Sequence, residues 1–600
     1  MPASKTKQSA SKKATPKKTA KTAKIAAAPK KSKLAKAAAD VSGAGFRLAD
    51  PMWNAHEILA ALEMYEAFGV SVVVFPELCI TGASCGDLFK QNILLDAAQK
   101  AVKFLLKETA KSPVAFVVGL PERSKSGVLY AVTLCIRAGK IVARNRKPLD
   151  APATVFAPIE LVSTKPKRNP ARLILCPSAV PSALMGPGDF SSFALKTAKE
   201  HQADFILAAP KSGESVTDGF YGMPVCCNVM VKGGESVLAD LSDPCPALEF
   251  PAEFEPAKQQ YLLSFEEDPK HFAALGRDPL PFLPKDRAGT IWITAALESA
   301  LAHRMTTAHA SKFVIGVSGG LDSTLALLVA HEAAAALNLP ASSVIAISMP
   351  GFGTTSRTKN NAAQLAKLLG CDCRTVDIRP ACLQHFADIG HDPKVADVVF
   401  ENAQARERTQ ILMDVANGSN ALVVGTGDLS EIALGWCTYN GDHMSMYAVN
   451  SGVPKTLVRH LVAFYADAHG GKIASVLRDI LDTPVSPELV PASKNGESGH
   501  KTEQILGAYE LHDFYLFHLV RLNESPREIL RKAKKVFAGK YAPEEIRRTL
   551  ELFLRRFFTQ QFKRSCSPDG PAVSPLSLSP RSGWRVPSDA SPALWLDDLK

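Results

Sequence analysis

Apolar positions recur along this chain in two rhythms. Between about residues 43 and 280, short runs rich in β-branched and aromatic residues are divided by helical and turn-rich stretches. Residues 71–75, 114–118, 132–137, 172–176, 204–208 and 224–231 read as strands of a sheet-rich α/β domain. Residues 267–288, with several prolines and charges, read as a linker into a second domain at 281–600. There the alternation is regular: strand 313–317, helix from Asp322, strand 344–349, helix through 360–369, strand 374–378, helix 406–416, strand 421–425. Repeated strand–loop–helix units imply a doubly wound parallel sheet covered on both faces, with ligands at the carboxyl ends of its strands. Ser318 and Thr426 fall at such ends. Residues 510–564 predict a helical appendage, and the Pro- and Ser-rich stretch 565–600 a loosely structured end. Residues 1–42 have almost no large apolar side chain and predict a disordered tail.

Charge changes the picture only at that tail. The formal net charge is +11, but residues 1–39 hold twelve lysines and no acid, so the remainder is balanced. The basic character implies polyanion binding or a nuclear address through stretches such as Lys12-Lys13 and Lys17-Lys18, or, more simply, a solvated extension in which residues 1–42 are weakly and nonspecifically attracted to polyanions. No apolar run reaches the roughly 20 residues of a membrane span, and the start lacks the apolar core of a secretory signal. The expected location is cytoplasmic, with no membrane partner. Twelve cysteines fall without an even framework, and neither Cys226-Cys227 nor Cys371-Asp372-Cys373 has a second pair at zinc spacing, so they read as reduced residues.

The densest chemistry lies at Gly316-Val317-Ser318-Gly319-Gly320-Leu321-Asp322-Ser323, which runs from a buried strand straight into a helix. Adjacent glycines allow close backbone approach, and the amides at a helix start favour an anion. Without a Gly-Lys-Ser/Thr the loop departs from the Walker pattern, which disfavours a kinase or motor ATPase.

The strand–SGGxDS–helix pattern resembles the pyrophosphatase-loop ATPases, which activate a carboxylate or carbonyl as an adenylate. Pro350-Gly351-Phe352-Gly353-Thr354-Thr355, Glu401-Asn402-Ala403-Gln404-Ala405-Arg406, Gly425-Thr426-Gly427-Asp428-Leu429-Ser430-Glu431, Leu434-Gly435-Trp436-Cys437-Thr438-Tyr439, Val453-Pro454-Lys455-Thr456 and Gln561-Phe562-Lys563-Arg564 narrow the resemblance to the glutamine-dependent NAD(+) synthetases. That resemblance implies adenylation of the nicotinate carboxylate of deamido-NAD by Mg-ATP, then attack of ammonia with release of AMP. It implies that Gly316 to Ser323 and Thr426 hold ATP, and that Asp322 and Glu431 ligate Mg²⁺. It also implies that Asn402, Glu431, Trp436, Cys437, Thr438, Tyr439 and Lys563 line the deamido-NAD site. A dimeric synthetase core follows from the same likeness.

In this family a nitrilase-like α/β sandwich supplies ammonia through a Cys-Lys-Glu triad. Val74-Phe75-Pro76-Glu77-Leu78-Cys79-Ile80-Thr81-Gly82 resembles the glutamate segment, and Cys85-Gly86-Asp87-Leu88-Phe89 follows it as the family has it. Gly139-Lys140-Ile141 places the lysine at Lys147, and 173–178 keeps a strand ending in Cys176. The resemblance therefore assigns catalysis to Glu77, Lys147 and Cys176. Four departures stand beside it. Residues 148–157 lose the family's helper groups, and Pro177-Ser178 replace the two acids after the nucleophile. Ala83 stands where a tyrosine is expected, and the usual first strand before Arg47 has no obvious counterpart. Proline at 177 also removes a backbone donor. Glutamine and free ammonia both remain open as nitrogen sources. Two other readings compete: another pyrophosphatase-loop amidotransferase, disfavoured by 434–439 and 453–456, and a noncatalytic nucleic-acid-associated protein, disfavoured by intact Ser318, Asp322, Thr426 and Glu431.

Overall fold

The computed structural model describes residues 34–600 apart from 41–45, 153, 166–167, 181–186, 210–228, 234, 239–246, 266–273, 355, 484–504 and 582. The first half holds β1 (Leu34–Ala39), β2 (Val72–Val74), β3 (Ala115–Arg123), β4 (Leu129–Arg137), β5 (Lys140–Pro148), β6 (Val155–Phe156) and β7 (Ile159–Ser163). After these come β8 (Arg172–Pro177), β9 (Asp204–Ala208), β10 (Val229–Lys232), β11 (Glu235–Leu238), β12 (Leu248–Pro251), β13 (Phe254–Pro256) and β14 (Leu263–Ser264). Two six-stranded sheets result, ordered β12-β1-β2-β3-β4-β5 and β11-β10-β9-β8-β7-β13. Their inner faces meet through Val72, Val74, Val117, Leu173, Leu175, Ile206 and Phe250. Helices Pro51–Ala67 and Asn92–Glu108 cover the outer face of the first sheet, and Pro187–His201 lies against the second. This is a four-layer sandwich. Side-chain alternation on β8 follows, because successive residues point to opposite faces. Leu173 and Leu175 face the other sheet while Ile174 and Cys176 face the helix side.

The expected missing strand is present, and it lies inside the segment expected to be disordered. Leu34–Ala39 runs parallel to β2 (Ala37 opposite Val72) and antiparallel to β12 (Ala37 opposite Leu248). Its sequence, LAKAAA, has low strand propensity, so pattern alone does not reveal it. Context forms it: Ala37, Ala38 and Ala39 are buried, and their small side chains fit a sheet interior between two partners. The sandwich thus begins at 34 rather than 43, and residues 1–33 of the expected tail lie outside the described residues. Residues 224–228 of the expected strand 224–231, and Cys226-Cys227, also lie outside them.

The second half holds β15 (Lys312–Gly316), β16 (Val344–Ser348), β17 (Asp372–Thr375), β18 (Ala421–Gly425) and β19 (Tyr447–Ala448), all parallel, in the order β17-β16-β15-β18-β19. β17 starts two residues before the expected 374–378, because its pairing is one-sided and set by β16. Helices Arg287–Thr307, Leu321–Ala336, Val398–Ser419 and Lys455–His469 pack around the sheet, and β15 is buried as a parallel strand should be. Residues 505–564 form the expected helical unit, including Tyr509–Leu516, Pro526–Val536 and Pro543–Thr559. The end 565–600 has little regular structure but is not loose. Ala572, Val573, Leu576 and Leu578 are buried, and Arg547 Nη1 donates to Leu599 O at 2.6 Å. Among the described residues no helix is long and apolar enough to cross a membrane.

Candidate active sites

In the sandwich, β2 ends at the turn that carries Glu77. Leu78 adopts φ +55°, and Gly119 lies so close that a Cβ there would come within 2.4 Å of Leu78 N, so this elbow depends on a glycine. β5 brings Lys147 across: its Nζ lies 2.8 Å from Glu77 Oε1 and also donates to Val155 O. Cys176, at the end of β8, is fully buried and close enough that both charges bear on its thiol. The three residues assigned by offset and resemblance are therefore brought together. Burial raises the Glu77 carboxyl, with Lys147 opposing. Burial also raises the Cys176 thiol, with Glu77 adding and Lys147 opposing. Beyond the nucleophile, Pro177 has no N–H, and the Ser178 N–H is spent on Ala208 O at 2.8 Å. Neither of the two residues after Cys176 offers a backbone donor.

In the second half, β15 delivers the phosphate loop to the start of helix Leu321–Ala336. Gly319 takes φ +87°, open to glycine at little cost. Ser318 Oγ accepts from Gly320 N at 3.1 Å, and Ser323 Oγ accepts from Ser318 N at 3.2 Å. No side chain caps this helix at Gly320, so its first-turn amides face the space above the loop. That space is a cavity of about 790 Å³, lined by Gly316, Val317, Ser318, Gly320, Leu321, Asp322, Ser323, Asn402, Thr426, Glu431, Trp436, Cys437, Thr438, Tyr439 and Lys563. Of the residues assigned to the two substrates, only Gly319 stands back from it.

At its floor, Lys455 Nζ lies 2.7 Å from Asp322 Oδ2, 2.7 Å from Asp428 Oδ2 and 3.0 Å from Glu431 Oε1. Burial pushes Glu431 up to about 7, Lys455 opposing, and raises Asp428 in the same way. Burial works against the Lys455 ammonium, yet the three carboxylates outweigh it and hold its pKa above the ordinary value. The carboxylates each offer an oxygen within 4.8 Å of the others, and Asp322 Oδ1 is buried with no hydrogen-bond partner. Hard oxygen donors with a spare lone pair fit a divalent cation such as Mg²⁺. Sequence reasoning missed Asp428 and Lys455 as site residues, although both stood inside quoted motifs. Asp428 had a usable signal: it precedes Glu431 by three, as a helix cap does, and its Oδ1 accepts from Glu431 N at 2.8 Å.

The far wall is a loop held by its own polar groups. Thr438 Oγ1 donates to Asn402 Oδ1 and Thr438 N to Asp442 Oδ1, both at 2.7 Å. Arg556 lies 5.0 Å from the Trp436 ring, while Tyr439 is exposed beside His443 and Phe562. Burial raises the Cys437 thiol to about 12, with Asp442 adding. Lys563, which the resemblance places in the deamido-NAD site, lines the cavity, and its Nζ donates to Gly435 O at 2.8 Å and Cys437 O at 2.7 Å, so it also fastens the loop. Gly435 closes the short helix Leu429–Leu434 at φ +57°, where a Cβ would meet Gln560 at 2.3 Å.

Comparison with known proteins agrees with both halves. The NAD synthase family matches residues 293–555, and the carbon-nitrogen hydrolase family matches residues 41–153, a stretch that carries Glu77 and Lys147. The glutamine-dependent NAD(+) synthetase of Mycobacterium bovis is 32% identical over 92% of this chain and 96% of its own. That of Rhodobacter capsulatus is 26% identical over 87% and 93%. A solved glutamine-dependent NAD(+) synthetase from Cytophaga hutchinsonii shares the fold with a TM-score of 0.71 at 16% identity, covering 94% of this chain and 99% of that one. Spanning both halves of such relatives, the chain belongs to the glutamine-dependent NAD(+) synthetase family.

Proposed function

We propose that this chain makes NAD(+) by ATP-dependent amidation of deamido-NAD in the cavity above β15 and β18, drawing nitrogen from free ammonia in preference to glutamine. The observation that carries the first part is the meeting of Asp322, Asp428, Glu431 and Lys455 beside the uncapped helix start. Gly316 to Ser323 and Thr426 hold the ATP phosphates through amides and hydroxyls, while the buried Lys455 ammonium offsets the charge of Asp322, Asp428 and Glu431 beneath them. Asn402, Trp436, Cys437, Thr438, Tyr439 and Lys563, with Glu431, line the dinucleotide. Asp322 and Glu431 would hold Mg²⁺, whose contribution is to neutralise phosphate charge. A nicotinate oxygen bonds to the α-phosphorus as the bond to pyrophosphate breaks. Ammonia then adds to the acyl carbon, AMP leaves with the adenylated oxygen, and a proton is lost.

The nitrogen preference rests on Pro177 and Ser178. A tetrahedral oxyanion on Cys176 has the Lys147 ammonium, which Glu77 and Val155 O already engage, and no N–H from the next two residues. Loss of one such donor costs about 10²- to 10³-fold in rate. The reading also includes a cytoplasmic location, a dimeric core and weak polyanion attraction by residues 1–42, which cell fractionation, solution mass and a salt series check in turn. The deciding assay supplies deamido-NAD and Mg-ATP with either ammonia or glutamine. The expected result is a rate at least about tenfold higher with ammonia, and a gain in glutamine use for Pro177→Ala. Equal rates, with the glutamine rate lost in Cys176→Ala, would overturn the nitrogen preference; no NAD from either donor would overturn the whole reading.

A further inference from the structure

Helix Tyr509–Leu516 belongs to the C-terminal helical unit, outside the parallel sheet, yet it reaches the cavity floor. Tyr509 and Asp513 are four residues apart and so share one face. The Tyr509 ring lies 5.1 Å from Lys455 Nζ. Asp513, 1% exposed, accepts from Thr456 N at 3.0 Å, from Thr456 Oγ1 at 2.7 Å and from Ser430 Oγ. Ser430 Oγ in turn accepts from Lys455 N at 2.8 Å. Lys455 and Thr456 open the helix Lys455–His469, for which Pro454 provides no side-chain cap. Ser430 lies in the first turn of Leu429–Leu434, next to Glu431.

Two helix starts therefore converge on one buried carboxylate. A third helix serves them differently: Thr456 N of one start donates directly to Asp513, whereas the other start is capped by Asp428 and reaches Asp513 only through the Ser430 hydroxyl, which also takes Lys455 N. The same helix holds Lys455 at both ends, its backbone through Asp513 and its ammonium beside Tyr509. We propose that Asp513 is a positioning residue for the synthetase reaction: it registers the Lys455 ammonium and the Glu431 carboxylate against Asp322. This inference rests on the reading of the cavity as the synthetase site. A buried acid with three donors also suits a plain staple between the helical unit and the sheet domain, and the two roles differ in what a variant loses. A staple lowers stability and leaves turnover per folded molecule alone; a positioning group lowers turnover, since an error near 1 Å costs about 10²-fold.

The test uses the full chain with ammonia as nitrogen donor, and measures kcat, both KM values and the thermal midpoint together. Asp513→Asn is expected to lower kcat by about 10- to 100-fold, with KM for deamido-NAD within about twofold of the wild type. Thr456→Ser, which keeps the hydroxyl, should retain most of the wild-type kcat, and Thr456→Val should not. An unchanged kcat per folded molecule in Asp513→Asn overturns the inference, whatever happens to the midpoint. Should that variant not fold, the Thr456 pair decides: equal kcat in Ser and Val variants overturns it. A wild-type chain that forms no NAD fails at the earlier reading and is told apart by that control.

Discussion

Glu298 shows how one side chain can set a pH dependence away from the chemistry. It sits on Arg287–Thr307 and accepts from Tyr465 Oη at 2.6 Å. Burial lifts its carboxyl to about 7, Tyr465 opposes, and the charge of Glu332 adds. Glu332 itself lies 3.0 Å from His331 and 3.5 Å from His469. The folded chain thus keeps a proton that the unfolded chain releases near 4.5. Stability from this group is present below that value, falls as pH rises towards 7, and is fully lost above it. Glu298→Gln should remove that slope and leave the variant more stable than the wild type at pH 8, by on the order of 1–3 kcal/mol. Unfolding curves across pH 4.5 to 8 check this, and superimposable slopes would refute it. At this scale the sequence was legible where a motif joins backbone shape to charge, as at Asp322 and Glu431, or where an offset fixes a register, as at Lys147. Asp513 was not legible. Its significance arises from two helix starts far apart in the chain meeting around it.

Among elements, β1 separates local signal from context most clearly. Strands such as 204–208 and 421–425 announce themselves by apolar runs and were read from sequence with their bounds. LAKAAA carries no such signal; its strand exists because β2 and β12 flank it. β5 was also unread, since its alternation of charged and half-buried residues is that of a sheet edge, where one side needs no apolar cover. A chain starting at residue 33 should therefore fold and turn over ammonia as the full chain does. A chain starting at residue 42 loses β1, leaves β2 unpaired on one side and β12 without its strand neighbour, and should accumulate as aggregate. Soluble yield and circular dichroism of the two truncations check this, and a well-folded chain from residue 42 would show that β1 is dispensable.

At the scale of the molecule, the two halves are not independent beads. One buried apolar cluster holds Ile174, Cys176, Phe190 and Phe193 of the sandwich together with Trp292, Leu297, Phe313 and Leu325 of the sheet domain. Calorimetry should accordingly give one cooperative transition, and two well-separated transitions would contradict a shared core. The helical unit is bound in as firmly. Arg564, 2% exposed, donates to Ala433 O at 2.8 Å, and Arg556 Nε to Leu434 O at 2.9 Å, so its cations close the far end of the short helix that bears Glu431. Domain class was readable from rhythm; this interlocking was not, because it is made by pairs distant in sequence. The placement of β1 has one more consequence, for synthesis rather than for the finished enzyme. β1 leaves the ribosome early, while its partner β12 begins only at residue 248. At ordinary elongation rates the nascent chain carries an open strand edge for on the order of 10–40 s. Translation speed between residues 39 and 248 thus becomes a determinant of yield, and expression should gain from a faster-read message or a holding chaperone rather than from changes to the folded protein.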